Sequence, residues 1–364
     1  MELKLPQLVY DQMKTYKALY AEELPAIMKK EPAFDDDSYI KHLQTVYVIG
    51  DGDSLYAAKA VEYVFRAISG IDYRPVPAFE FTKYTIDGFS AEKAASSLLI
   101  GLSASGGSPF VVDAMKKYKD YYPNSHVLSI CGKVGGEIEK QATEIFSVQI
   151  LELGRTPGIR TYAASMVGLL AIACEVAEKR SFKGAYSRGD IIQFLEASSE
   201  GIEQTLSETL GQGKEIINLL DDSFIAFVGS GPSHGTALFE AAKFVETSGI
   251  YSFGQDLEEW NHVEGFAYPL ASMLVIHLNP GAAYRRAETL AISASKLGHK
   301  IVVVVPEELE ATELGDACVV TYGPYDDLLS PLTQYIPFTL LAAVVAENYG
   351  RAMFLTDTQI WSRL

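Results

Sequence analysis

Apolar residues in this 364-residue chain gather in short unbroken runs rather than alternating with polar ones. Thr45-Val46-Tyr47-Val48-Ile49 is the first, and residues 73–76, 97–102, 126–131 and 144–149 follow in the same style. Each reads as a strand buried on both faces, and the stretches between them, such as residues 55–68, read as helices. Strands of that kind separated by helices predict a parallel sheet covered on both sides. Ahead of it, residues 6–30 predict a helical arm in which Pro25 is a break or a second start. Pro32 and Asp35-Asp36-Asp37-Ser38 end that arm and cap another short helix. Residues 161–179 and 190–220 predict two long helices, the second leading into a new half.

The new half repeats the pattern. Phe224-Ile225-Ala226-Phe227-Val228 is a strand, Gly229-Ser230-Gly231-Pro232-Ser233 a turn, and residues 234–247 a helix. Further strands are expected at 272–278, 301–305 and 317–321, and helices at 284–297 and 332–350. A constant offset of 179 places Gly50, Gly52 and Ser54 on Gly229, Gly231 and Ser233. It also places Ser69-Gly70-Ile71 on Ser248-Gly249-Ile250, and Glu80 on Glu259. Such self-similarity over a whole domain points to an internal duplication. The expected division is an arm over 1–42, a first lobe over 43–190, a linking helix over 191–220 and a second lobe over 221–364.

One stretch separates the halves. Leu102-Ser103-Ala104-Ser105-Gly106-Gly107-Ser108-Pro109 ends the third strand and opens a helix that Ser108 can cap, with Pro109 at its first position. Backbone N–H groups, hydroxyls and the positive end of a helix then meet in one small volume, a ready cradle for an anion. An ordinary serine-rich turn is the competing reading. The second half has Leu278-Asn279-Pro280-Gly281-Ala282-Ala283 there instead.

Charge sharpens this picture. A net charge of −17 argues against nucleic acid and anionic membranes, so an anionic ligand must be held by local donors. Three dispersed cysteines, Cys131, Cys174 and Cys318, suggest neither a disulfide framework nor a metal site, and Cys131 reads as core. No apolar run is expected to reach membrane-spanning length and the N-terminus has no signal-peptide profile, so a cytoplasmic protein is expected. Gly50-Asp51-Gly52 invites a dinucleotide, but Leu55 stands where the third glycine belongs and the aspartates would repel a pyrophosphate. No cofactor is expected.

In the second half, Lys243 and Glu246 share a helix face, which alone describes a surface ion pair. His262 lies in an acidic segment, Asp256-Leu257-Glu258-Glu259-Trp260-Asn261-His262, after a strand-to-helix connection. A lone histidine is more often structural, yet active-site residues of parallel sheets collect at such connections.

The doubled strand, Gly-x-Gly-x-Ser turn and helix, with Ser-x-Ser-Gly-x-Ser in the first copy, resembles the sugar isomerase (SIS) domain in tandem over residues 40 to 350. This arrangement occurs in the isomerase half of glutamine:fructose-6-phosphate amidotransferase, in glucosamine-6-phosphate deaminases of this type and in fructosamine-6-phosphate deglycases. The resemblance implies an α/β protein of two duplicated three-layer α-β-α lobes with flavodoxin-like parallel sheets, plus the N-terminal arm. It implies that Ser103, Ser105 and Ser108 bind a sugar phosphate, with Ala104 where glutamine is frequent. Asp53, where threonine is usual, and Ser54 contribute further contacts. Pro157-Gly158-Ile159-Arg160-Thr161 resembles the loop that closes over the sugar, so Arg160 and Thr161 join the binding set, as does Glu259.

Glu246 and His262 are sixteen apart, the family's spacing between its general base and the ring-opening histidine given to the neighbouring subunit. The resemblance therefore assigns catalysis to Glu246, His262 and Lys243 and implies a homodimer with a shared active site acting on a small phosphosugar. No glutaminase half is expected ahead of the matching region. The last lysine is Lys300, so the tail offers none for an imine, and the deglycases match best because their amine-bearing substrate makes its own. An aldose–ketose isomerase on the same residues, or a non-catalytic sugar-phosphate sensor, are the competing functions.

Overall fold

The structure is a computed structural model that describes residues 4, 7–35, 37–154, 156–220, 224–267, 272–309, 314, 316–351 and 353. Residues 356–364, part of the tail read above as lacking an imine-forming lysine, lie outside the described residues. The chain forms two compact units. One comprises Leu19–Glu152 with Arg160–Glu196, the other Met1–Ala18 and Leu153–Ile159 with Ala197–Leu364. The N-terminal arm is a broken helix over residues 7–28, its residues through Ala18 belonging to one unit and those from Leu19 to the other.

In the first unit β1 (Thr45–Gly50), β2 (Asp72–Pro77), β3 (Ser97–Ser103), β4 (His126–Cys131) and β5 (Glu144–Ser147) form one parallel sheet of order β2-β1-β3-β4-β5. Every residue of β3 is buried, which is why its sequence is an unbroken apolar run. Helices α1 (Asp53–Ala60), α2 (Glu62–Ser69), α3 (Pro109–Tyr121) and α4 (Ile159–Arg180) accompany the sheet. Tyr47, Ile49, Phe81, Leu99, Met115 and Val127 are among the residues of its core.

The expected helix over 55–68 is interrupted at Val61 for a local reason. The Tyr73 hydroxyl donates to the Ala58 carbonyl at 3.0 Å, the acceptor that the next helical turn would use. Helix α4 also corrects an expectation. Its 22 residues are long and apolar enough to cross a membrane, but 94% of the apolar window is buried, which makes it a core helix.

Helix α5 (Arg188–Leu219) leads into the second unit, where β6 (Ile225–Gly229), β7 (Ser252–Asp256), β8 (Met273–His277), β9 (Lys300–Pro306) and β10 (Cys318–Tyr322) form a second parallel sheet. Its order is β7-β6-β8-β9-β10, the same winding as the first. Helices α6 (Pro232–Ser248), α7 (Leu257–His262), α8 (Tyr284–Lys296) and α9 (Ile336–Tyr349) complete it around a core that includes Val228, Trp260, Leu274, Ile276 and Val303.

The offset of 179 survives in three dimensions. Gly50 pairs with Pro77 and Gly229 with Asp256, matched positions in matched registers. Gly52 has φ 52° and ψ −126°, Gly231 has φ 58° and ψ −127°, a region open essentially to glycine, so both turns need that residue. Ser69 and Ser248 each donate to a carbonyl one turn back, at 2.8 and 2.7 Å. Ser252 occupies the place of Tyr73, and α6 accordingly runs unbroken. Strand β7 was not among the predicted elements. It is a half-buried edge strand, Ser-Phe-Gly-Gln-Asp, without an apolar run to mark it.

Candidate active site

The serine loop leaves the C-terminal end of β3 next to the glycine turn that leaves β1, since Ile49 pairs with Gly101. This is the crevice where parallel sheets of this winding hold ligands. The Gly106 N–H donates to the Ser103 hydroxyl oxygen at 3.1 Å, and the Gly107 N–H donates to that of Ser105 at 3.4 Å. Ser103 and Ser54 are buried. The loop sits at the N-terminus of α3, where unpaired backbone N–H groups favour an anion.

Ser108 occupies the N-cap position and Pro109 follows it, as expected, but the serine side chain does not cap the helix. Its hydroxyl donates instead to Asp51 Oδ2 at 3.2 Å, across 57 residues of sequence. Asp53 opens α1 on the same turn.

Arg160 and Thr161 lie in the first turn of α4 rather than in a loop. Arg160 is 4% exposed and ion-paired with Glu23, and it also donates to the Leu151 carbonyl. The structure gives Arg160 protein partners, Glu23 and the Leu151 carbonyl, where the resemblance implies a ligand contact. This guanidinium holds Glu23 to the start of α4, because a buried cation needs a carboxylate partner.

In the second unit, Lys243 and Glu246 form an ion pair of 2.5 Å on α6. The lysine side chain is fully buried, while one third of the glutamate's is exposed. This is no mobile surface pair. The ammonium is fixed beneath the carboxylate and holds it at the protein surface.

His262 ends α7 with 67% of its side chain exposed, and its Nε2 stands 3.2 Å from Glu258. Glu258 is gripped in turn by Arg286, whose guanidinium holds its carboxyl below the usual range. Glu259 is exposed in the first turn of the same helix, its N–H donating to Asp256 Oδ1 at 3.3 Å. Asp256, the N-cap, also accepts from Ser230 at 2.9 Å.

Two features escaped the sequence. The first is a fully buried pair, His277 at the end of β8 and Glu240 on α6, hydrogen-bonded Nε2 to Oε2 at 2.9 Å. Burial pushes the Glu240 carboxyl above its usual value, while the His277 ring pulls it back. The signal was the spacing of Glu240, Lys243 and Glu246 at three-residue intervals on one helix.

The second is the fate of the missing serine cluster. Ile276 pairs with Val228 as Gly101 pairs with Ile49, so Asn279 follows β8 where Ala104 follows β3. Its amide donates to Ser233 at 2.9 Å and accepts from Tyr322 and Gln334 at 2.7 and 3.1 Å. The second unit thus fills that crevice with its own side chains. Among the described residues, no group of three or more His, Cys, Asp or Glu side chains is placed to hold a metal ion.

No family model matches the chain. It is 25% identical over 313 residues to glutamine–fructose-6-phosphate aminotransferase [isomerizing] of Gloeobacter violaceus, matching 85% of this chain and 50% of that protein. The chain spans about half the length of the curated relatives it matches. Among solved structures, the C-terminal domain of glucosamine-fructose-6-phosphate aminotransferase from Francisella tularensis superposes with a TM-score of 0.77 at 16% identity, covering 94% of this chain and 97% of that one. Glucosamine-6-phosphate deaminase of Thermotoga maritima superposes with a TM-score of 0.61 at 15% identity, covering 93% of each chain. The resemblance to the sugar isomerase proteins holds in sequence and in fold.

Proposed function

We propose that this chain is a phosphosugar-processing enzyme of the fructosamine-6-phosphate deglycase or amino-sugar phosphate deaminase type. The Lys243–Glu246 pair carries the reading, since a fully buried ammonium fixes a carboxylate that remains one-third exposed. That is the arrangement a positioned proton carrier needs. The names of the relatives, an isomerizing aminotransferase and a glucosamine-6-phosphate deaminase, support the same substrate class.

In this reading Ser103, Ser105 and Ser108, with Ser54, anchor the 6-phosphate. His262 passes a proton to the ring oxygen as the sugar opens, a task suited to imidazole and to a side chain as exposed as this one. Glu246 takes the proton from C1 of the open ketosamine and returns it to C2. That converts the C2 ketone and C1 amine into a C2 hydroxyl and a C1 imine. Water adds to the imine and the amine leaves, giving the aldose phosphate. The substrate supplies its own nitrogen, so no lysine is required for the imine, and residues 301–364 contain none. The chain works as a homodimer, His262 serving the partner's site.

The test is Glu246→Gln, assayed for release of glucose 6-phosphate from fructosamine 6-phosphates. Turnover should fall by about a hundredfold or more, as for loss of a general base. Unchanged turnover removes Glu246 from the mechanism. The isomerizing activity in the curated relative's name favours one second reading, an aldose–ketose isomerase using the same residues. Product analysis separates them: amine release marks the first, sugar interconversion alone the second.

A further inference from the structure

The serine loop carries a group that an anion site should avoid. Asp51 lies on the turn after β1, and its carboxylate already accepts the Ser108 hydroxyl proton. An anion seated on the loop takes over that donation and leaves Asp51 facing it. An ionised carboxylate can only accept hydrogen bonds. A second group without a proton, placed against it, gives two acceptors and no donor. Inorganic phosphate at pH 7 always carries at least one proton and can donate to Asp51, and a phosphate monoester, with a second pKa near 6, takes one up at small cost; sulfate at neutral pH brings none.

We propose that Asp51 is a specificity-determining residue that makes the serine loop select a proton-bearing phosphate over sulfate. The proposal rests on the reading of that loop as the phosphate anchor. Asp51 replaces the partner that the phosphate displaces: in the free protein it holds Ser108, and in the bound protein it receives the phosphate's own proton. The global charge of −17 makes this a matter of local donors and acceptors, because no general positive field draws either anion in.

The full chain is titrated at pH 7 with inorganic phosphate and with sulfate at matched ionic strength, and Tm is followed for each. The Ser103→Ala/Ser105→Ala double variant supplies the baseline, since both anions also stabilise proteins by exclusion from the surface. The expected apparent Kd for phosphate is about tenfold tighter than for sulfate, the worth of one hydrogen bond to a charged group. Asp51→Asn, whose amide can donate, should bring the two together by strengthening sulfate. Asp51→Ser, a second replacement at this exposed position, should do the same.

Equal affinities in the unmodified protein, or an unchanged ratio in both Asp51 variants, overturn the inference. If neither anion raises Tm above the serine-variant baseline, the loop is no anion anchor and the parent reading fails. A loop-dependent response without selectivity removes only the role of Asp51.

Discussion

Glu240 and His277 share a hydrogen bond of 2.9 Å with neither side chain exposed, joining α6 to the end of β8. Glu240 Oε1 and His277 Nδ1 find no further partner among the described residues, so each group depends on the other. Removing one leaves a buried polar group alone. His277→Ala should cost about 3–5 kcal/mol of stability in urea denaturation. Because α6 also carries Lys243 and Glu246, turnover should fall with it, whereas a pair of apolar replacements of similar volume should recover most of the stability.

The same pair gives a pH dependence. Burial holds the Glu240 carboxyl above its ordinary 4.5 in the folded protein, with His277 opposing. A group raised on folding contributes stability that is complete below its unfolded value and is lost as pH rises through the folded one. Glu240→Gln removes that loss. Its urea midpoint should fall less than that of the unmodified protein as pH increases above 4.5, and parallel profiles would contradict the assignment.

What could be read in the sequence, and what could not, follows from how each feature is encoded. Strands β1 and β3 were visible because both of their faces are buried, which leaves an apolar run. Strand β7 was not, because an edge strand half open to solvent keeps polar residues. The serine cluster was found as a local motif. The Asp51–Ser108 and Glu240–His277 contacts join residues 57 and 37 apart, and no local pattern announces them. Arg160 was read as a ligand contact from its place in a motif, while the acid that claims it, Glu23, lies 137 residues away.

That ion pair makes its own prediction. Arg160 is 4% exposed, so Glu23→Ala leaves a guanidinium buried without its carboxylate. A loss of about 3 kcal/mol is expected, read as a lower urea midpoint. Arg160→Lys should not rescue the site, because a lysine cannot reach Glu23 and the Leu151 carbonyl with the same planar fork. If Glu23→Ala instead weakens phosphosugar binding with stability intact, Arg160 belongs to the ligand after all.

Gly106 sets the shape of the serine loop. Its φ of 69° disfavours any side chain, and a Cβ there would lie 2.6 Å from the Cys131 sulfur and 3.0 Å from Gly136. Gly106→Ala should cost about 1–2 kcal/mol from the backbone conformation, more if the collision with Cys131 is not relieved. A loop that shifts to relieve it misplaces the Gly106 N–H that now donates to Ser103. The variant should stay folded by circular dichroism yet lose most of its affinity for phosphate. Retained affinity would show that the loop's N–H groups are not the anchor.

Lys243→Met separates the two views of the pair on α6. Methionine has nearly the length of lysine and suits a fully buried site, so the fold should tolerate it far better than a truncation. What disappears is the ammonium that fixes the Glu246 carboxylate from below. If the pair is only structural, Tm changes and turnover per folded molecule does not. If Lys243 positions the base, kcat falls by about a hundredfold while KM moves little, because the misplaced carboxylate is felt in proton transfer rather than in holding the phosphate. Glu246→Gln added to Lys243→Met should then lower kcat little further, since two residues that act as one unit do not add.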